Sequence, residues 1–148
     1  MKTSMESRRP ALFLDTWGWV AIGDRADPGH NAADAQRKLY QATGRLVTTD
    51  YVLDETFTAL FRQLPFSLTE QYCEGILRTA EMGALSIERI TSDRFQAAWR
   101  LRLRYSDKPL ISFTDLTSFV VMQELGITDV LTADSHFAKL GLGFKLVP

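Results

Sequence analysis

Short apolar runs and longer apolar stripes alternate along this chain. Ala11-Leu12-Phe13-Leu14 is an unbroken apolar run closed by Asp15, the pattern of a central strand buried on both faces. Trp17, Trp19, Val20 and Ile22 then predict a turn of helix beneath it, and Asp27-Pro28-Gly29-His30 reads as a loop. A helix is predicted over residues 31–43, with Asn31 as N-cap, Ala35, Leu39 and Ala42 on one face and Gly44 as its stop. Leu46-Val47-Thr48-Thr49 is a second strand. The next helix starts near Asp50 and runs to about Leu64, with Leu53, Phe57, Leu60, Phe61 and Leu64 as its core face. Pro65 interrupts that stripe. Ser67-Leu68-Thr69-Glu70 has the form of a capping box for a helix to about Ala80, ended by Gly83. Leu85-Ser86-Ile87-Glu88 alternates like a strand. Residues 93–105 read as a helix burying Phe95, Ala98, Trp99 and Leu103, followed by a loop at Ser106-Asp107-Lys108-Pro109. Thr114 is read as the cap of a helix through Leu125, stopped by Gly126, and residues 129–132 and 144–147 as the last strands. Strands alternating with helices imply an α/β fold with a mostly parallel sheet covered on both faces.

Composition changes this picture little. The chain has 148 residues, 45% hydrophobic and 24% charged, which suits one globular domain with a full core. Residues 1–10 are polar, carry Arg8 and Arg9, and have no apolar core of a signal peptide. They are expected to be a flexible tail preceding one domain over residues 11–148, and the protein is expected to be cytoplasmic. The single Cys73 excludes an internal disulfide and a cysteine-based zinc site, and is expected to be a buried small hydrophobe.

Four acids give the pattern its chemistry. Asp15 ends the first strand, Glu55 is read in the first turn of the helix after the second, Asp115 begins a later helix, and Asp134 follows the fourth strand. At 100° per residue, Glu55 lies about 200° from Leu53, off the core face of its helix. In open α/β sheets, chemistry gathers outside the carboxyl ends of the strands. Taken singly, Asp15 and Asp134 read as helix caps, Asp115 as a helix-start acid favoured by the macrodipole, and Glu55 as a solvated surface acid. Taken together, all four stand at the same end of their local units. Two carboxylates about 5 Å apart repel by roughly 3 kcal/mol at an effective dielectric near 20, and a divalent cation is the direct remedy. The net charge of −1 disfavours a general nucleic-acid binder, but without the four acids 18 − 4 = 14 acidic residues face 17 basic ones. That remainder is compatible with a polyanionic substrate.

The segments Leu12-Phe13-Leu14-Asp15-Thr16, Thr49-Asp50-Tyr51-Val52-Leu53-Asp54-Glu55-Thr56, Ser112-Phe113-Thr114-Asp115 and Leu131-Thr132-Ala133-Asp134-Ser135-His136-Phe137, closed by Gly143-Phe144-Lys145-Leu146, follow in an order and spacing that resembles the PIN domain family, in particular its VapC-like toxin ribonucleases. The resemblance implies a three-layer α/β/α sandwich. It also implies that Asp15, Glu55, Asp115 and Asp134 bind Mg²⁺ or Mn²⁺ and cut single-stranded RNA. A small antitoxin protein inhibiting in trans is implied too, as is a homodimer, for which the apolar residues of helices 57–66 and 68–77 are candidates. The chain departs from the pattern at Trp17, where many relatives carry a small polar residue.

Other features are weaker. His30 and His136 are the only histidines, too few and too far apart in sequence for a histidine metal site, and His136, beside Asp134, reads as a surface-loop histidine more than as a substrate contact. Arg94, Arg100, Arg102, Arg104 and Lys108 read as a solvated face or a phosphate grip. Trp17 and Trp19 suit core packing better than base stacking. An aspartyl phosphotransferase would need a second acid where Trp17 stands. Two related readings stay open: a housekeeping RNA-processing nuclease, and a non-catalytic module that binds RNA or protein.

Overall fold

Leu12, Phe13 and Leu14 have no exposed surface because β1 (Ala11–Leu14) is the middle strand of the sheet, flanked on both sides and covered on both faces. The structure is a computed structural model and describes residues 9–148, so most of the expected tail lies outside the described residues. After β1 come α1 (Thr16–Gly23), α2 (His30–Thr43), β2 (Arg45–Thr49), α3 (Asp50–Gln63), α4 (Phe66–Glu81), β3 (Ser86–Glu88) and α5 (Ser92–Arg104). The chain closes with α6 (Phe113–Leu125), β4 (Asp129–Leu131), α7 (His136–Lys139) and β5 (Lys145–Val147). The five strands are all parallel, in the order β3-β2-β1-β4-β5. Right-handed crossovers put α1–α4 on one face and α5–α7 on the other. The packing largely follows that division: α1 lies on α2 and α3, whereas α5 lies on α6 and α6 on α7, and α3 also touches α6. The strand order reverses between β1 and β4, which makes that crevice the place where a ligand site is expected.

Threonines close the carboxyl ends of the strands. Buried Thr48 accepts a hydrogen bond from Trp19 Nε1 (3.1 Å) and donates to Leu14 O (2.9 Å), so Trp19 is a core residue with its polar atom satisfied. Thr49 caps α3 by accepting from Val52 N at 3.0 Å. Gly18 lets α1 approach β4: a Cβ there would stand 2.7 Å from Leu131 O and 2.9 Å from Leu131 Cγ. Gly18→Ala is therefore expected to destabilise the protein by about 1–3 kcal/mol, because backbone as well as side chain must give way. A urea midpoint unchanged from that of the unmodified chain would contradict the close approach.

Several local details differ from the sequence reading. Helix α2 starts at His30 with Gly29 as N-cap, and Asn31 is inside it. Ala35, Leu39 and Ala42 face solvent, while Ala33 is buried. The capping box at Ser67 is not used. Pro65 is the N-cap, so helix α4 starts two residues earlier, and the Thr69 hydroxyl donates back to Pro65 O and Leu60 O. Ser112, not Thr114, caps α6. In α5 only Ala98 is buried; Phe95, Trp99 and Leu103 are 41%, 49% and 59% exposed, because nothing packs beyond α5 among the described residues. Gly126 does end α6, at φ 69°, and Cys73 is buried.

Candidate active site

Asp15, Glu55, Asp115 and Asp134 line one cleft of about 510 Å³, together with Trp17, Ser112, Leu110 and His136. Each acid arrives by a different route. Asp15 is the residue between β1 and α1, and its backbone N reaches Leu131 O at 3.4 Å, tying the end of β1 to β4. Glu55 projects from the exposed side of α3. Asp115 sits in the first turn of α6, where the Ser112 hydroxyl accepts from its backbone N at 3.0 Å. Asp134 follows β4, and its backbone N donates to Thr132 Oγ1 at 3.0 Å. A larger cavity of about 830 Å³, lined by Trp19, Arg37 and Tyr72 among others, contains none of these acids.

Two of the carboxyl groups are held at a cost. Asp15 is 4% exposed and its carboxyl is pushed up to about 7, first by burial and then by the charge of Asp115. The Thr16 backbone N–H and then the Thr132 hydroxyl, which donates to Asp15 Oδ2 at 2.9 Å, oppose that shift only in part. Asp15 Oδ1 is buried and accepts no hydrogen bond. Asp115, 5% exposed, is pushed up to about 6 by burial and by Asp134, against the pull of His136. Glu55 adds to the rise at both sites. An unpartnered buried carboxylate oxygen facing further carboxylates fits a hard divalent cation, whose charge would answer both burial and repulsion.

His136 was the residue misjudged from sequence. It is not a free surface-loop side chain. Its Nδ1 lies 3.3 Å from both Asp115 Oδ2 and Asp134 Oδ1, and its backbone N donates to Asp134 Oδ1 at 2.9 Å. The ligand atoms of Asp115, Asp134 and His136 all fall within 4.8 Å of one another. Trp17 forms part of the cleft wall and is half-buried, its ring filling the space above Gly29, where a Cβ would stand 2.8 Å away. The arginines divide. Arg102 donates to Ile111 O, Tyr105 O and Lys108 O and so shapes the loop before α6. Arg94 pairs with Glu88 and Glu124, while Arg100 and Arg104 are exposed on α5.

The comparisons with known proteins agree with this geometry. The 23S rRNA-specific endonuclease VapC20 of Mycobacterium tuberculosis, in strains CDC 1551 and H37Rv, is 30% identical over 131 residues, which is 88% of this chain and 94% of the relative. The crystal structure of M. tuberculosis VapC20, described as a Sarcin-Ricin loop cleaving toxin, matches with a TM-score of 0.74 and 29% identity, over 88% of this chain and 95% of that one. VapBC2 from Rickettsia felis, solved with a DNA fragment from its promoter, matches with a TM-score of 0.72 over 93% of this chain and 99% of that one. At 14% identity that second match speaks for the fold alone. The model of the PIN domain matches residues 12–142, from the first strand past the last of the four acids, and the chain belongs to the PIN domain family.

Proposed function

We propose that this chain is a metal-dependent endoribonuclease that hydrolyses phosphodiester bonds in single-stranded RNA, and that it is the toxin of a toxin–antitoxin pair. The observation that carries the reading is Asp15: a buried carboxylate with an unpartnered oxygen, raised by its acidic neighbours, at the point where strand order reverses. The 30% identity to a 23S rRNA-specific endonuclease over most of both chains supports RNA as the substrate class. Asp15 and Asp115 are the first candidates to hold Mg²⁺ or Mn²⁺, with Asp134 and Glu55 completing the set. When bound, such an ion makes water a competent nucleophile near neutral pH and offsets charge gathering on the phosphate. Asp15 is oriented by Thr132, Asp115 by the Ser112 turn and His136, and Asp134 by its backbone contacts. Water attacks directly, so no covalent enzyme intermediate is required.

The working unit is residues 11–148, preceded by a polar tail. No described helix is long and apolar enough to cross a membrane, and the RNA-cutting role suits the cytoplasm. Inhibition comes from an antitoxin segment laid across the cleft, with a basic side chain meeting the acids as a cation does, so antitoxin and metal compete. A homodimer is part of the same reading, using the exposed Phe61, Phe66, Leu68 and Leu77 of α3 and α4.

Purified protein is expected to cut single-stranded RNA with Mg²⁺ or Mn²⁺ and to lose that activity in a chelator. Equal cutting of double-stranded DNA, or cutting that survives chelation, would overturn the assignment. Expressed alone in a bacterial host, the chain is expected to arrest growth, relieved by Asp115→Ala; harmless overexpression of active enzyme would indicate a housekeeping nuclease instead.

A further inference from the structure

We infer that the cation site is a mixed oxygen–nitrogen site in which His136 is a ligand beside Asp115 and Asp134, so that Mn²⁺ is held in preference to Mg²⁺. This rests on the cation-dependent reading above and adds a ligand and a metal preference to it.

The geometry carries the ligand set. Neighbouring ligand atoms on an octahedral ion with bonds of about 2.1 Å lie about 3.0 Å apart. His136 Nδ1 lies 3.3 Å from Asp115 Oδ2 and 3.3 Å from Asp134 Oδ1, close to that spacing on both sides. In the metal-free protein the first is also a hydrogen bond, and ligation takes the tautomer protonated on Nε2, which frees the Nδ1 lone pair. The ring is kept there by the chain. The His136 backbone N donates to Asp134 Oδ1, and the next residue, Phe137, is 1% exposed and stacks edge-on against Phe119 with ring centroids 4.9 Å apart. The second, independent sign of a cation is Asp15 Oδ1, buried in the same cleft without a partner. A site of carboxylates alone suits Mg²⁺ and Mn²⁺ alike. One imidazole nitrogen tilts the balance, because Mg²⁺ demands hard oxygen ligands and keeps its waters, whereas first-row transition ions accept nitrogen.

The test uses the full chain and free metal ions. Electron paramagnetic resonance titration with Mn²⁺, repeated with Mg²⁺ as competitor, is expected to give at least about tenfold tighter binding of Mn²⁺. His136→Asn is expected to weaken Mn²⁺ about tenfold and Mg²⁺ by less than about threefold, collapsing the preference. Pulsed measurements on the unmodified protein are expected to show nitrogen-14 coupling to the bound Mn²⁺, which needs no variant to fold. Mn²⁺ bound without that coupling, or equal weakening of both ions in His136→Asn, overturns this inference and leaves the cation site standing. No Mn²⁺ binding at all overturns the cation-dependent reading itself.

Discussion

Asp15→Asn protein is expected to cleave RNA at least about 10²–10³-fold more slowly than the unmodified chain while folding normally, a loss of about 3–4 kcal/mol of transition-state stabilisation or more. Asparagine has the shape of aspartate, so the bond that Thr132 donates at 2.9 Å can persist to the side-chain oxygen. What disappears is the charge. Oδ1 now is buried without a partner; an amide nitrogen in its place becomes a donor rather than a ligand for a cation. The same change that removes the cation's anchor thus removes the repulsion in the metal-free protein. Single-turnover cleavage at saturating metal, together with a thermal melt, separates the two effects. Cleavage within threefold of the unmodified rate would remove Asp15 from the site. A melt lowered by many degrees would mean that the carboxylate supports the fold instead.

Asp15, Asp115 and Asp134 were legible because each stands at or near an element boundary, where the sequence itself marks the end of an apolar run or the start of a helix; Glu55, in the second turn of α3, was legible only by its place off the core face. Asp15 after Leu12-Phe13-Leu14 cannot be moved without breaking a buried strand, and Asp115 is fixed by the serine turn before it. His136 was not legible in the same way. Its partner Asp115 is 21 residues away, and only the folded crevice between β4 and α6 brings them together. The local signal was its place two residues after Asp134, where the chain turns into α7 and Asp134 Oδ1 accepts its backbone N–H. Periodicity failed at the outer helices for a physical reason. A stripe such as Phe95, Trp99 and Leu103 states that a helix has an apolar side, but not whether another layer covers it. Helix α5 is outermost, so it buries Ala98 and leaves the larger side chains at the surface. The unused capping box failed differently: Pro65 stands at the N-cap and the helix begins at Phe66, so Ser67 is already inside the first turn and cannot serve as the cap.

Metal-free protein is expected to lose stability as pH rises from about 4 to about 7, the reverse of the trend in a protein whose carboxylates are paired with cations. Asp15 titrates near 3.8 in the unfolded chain and near 7 in the fold, and Asp115 near 3.8 and near 6. Between those values the folded state binds more protons than the unfolded one, so stability falls with pH. The full benefit of the protonated groups is present below about pH 4 and is gone once pH passes the folded values. Asp15 is nearly fully buried, so its share is on the order of 3 kcal/mol. A divalent cation reverses the slope. A cation that binds the folded, deprotonated site and not the unfolded chain is expected to add about 2.7 kcal/mol when present at a hundred times its dissociation constant. Urea unfolding at pH 5 and pH 8, with chelator and then with Mn²⁺, measures each part. Asp15→Asn should reduce the metal-free slope to the share that Asp115 carries and blunt the gain from Mn²⁺ together, because Asp15 contributes to both. Metal-free protein that is as stable at pH 8 as at pH 5, with no gain on adding Mn²⁺, would mean that burial and mutual repulsion do not burden these acids, and the physical case for a cation between them would fall with it.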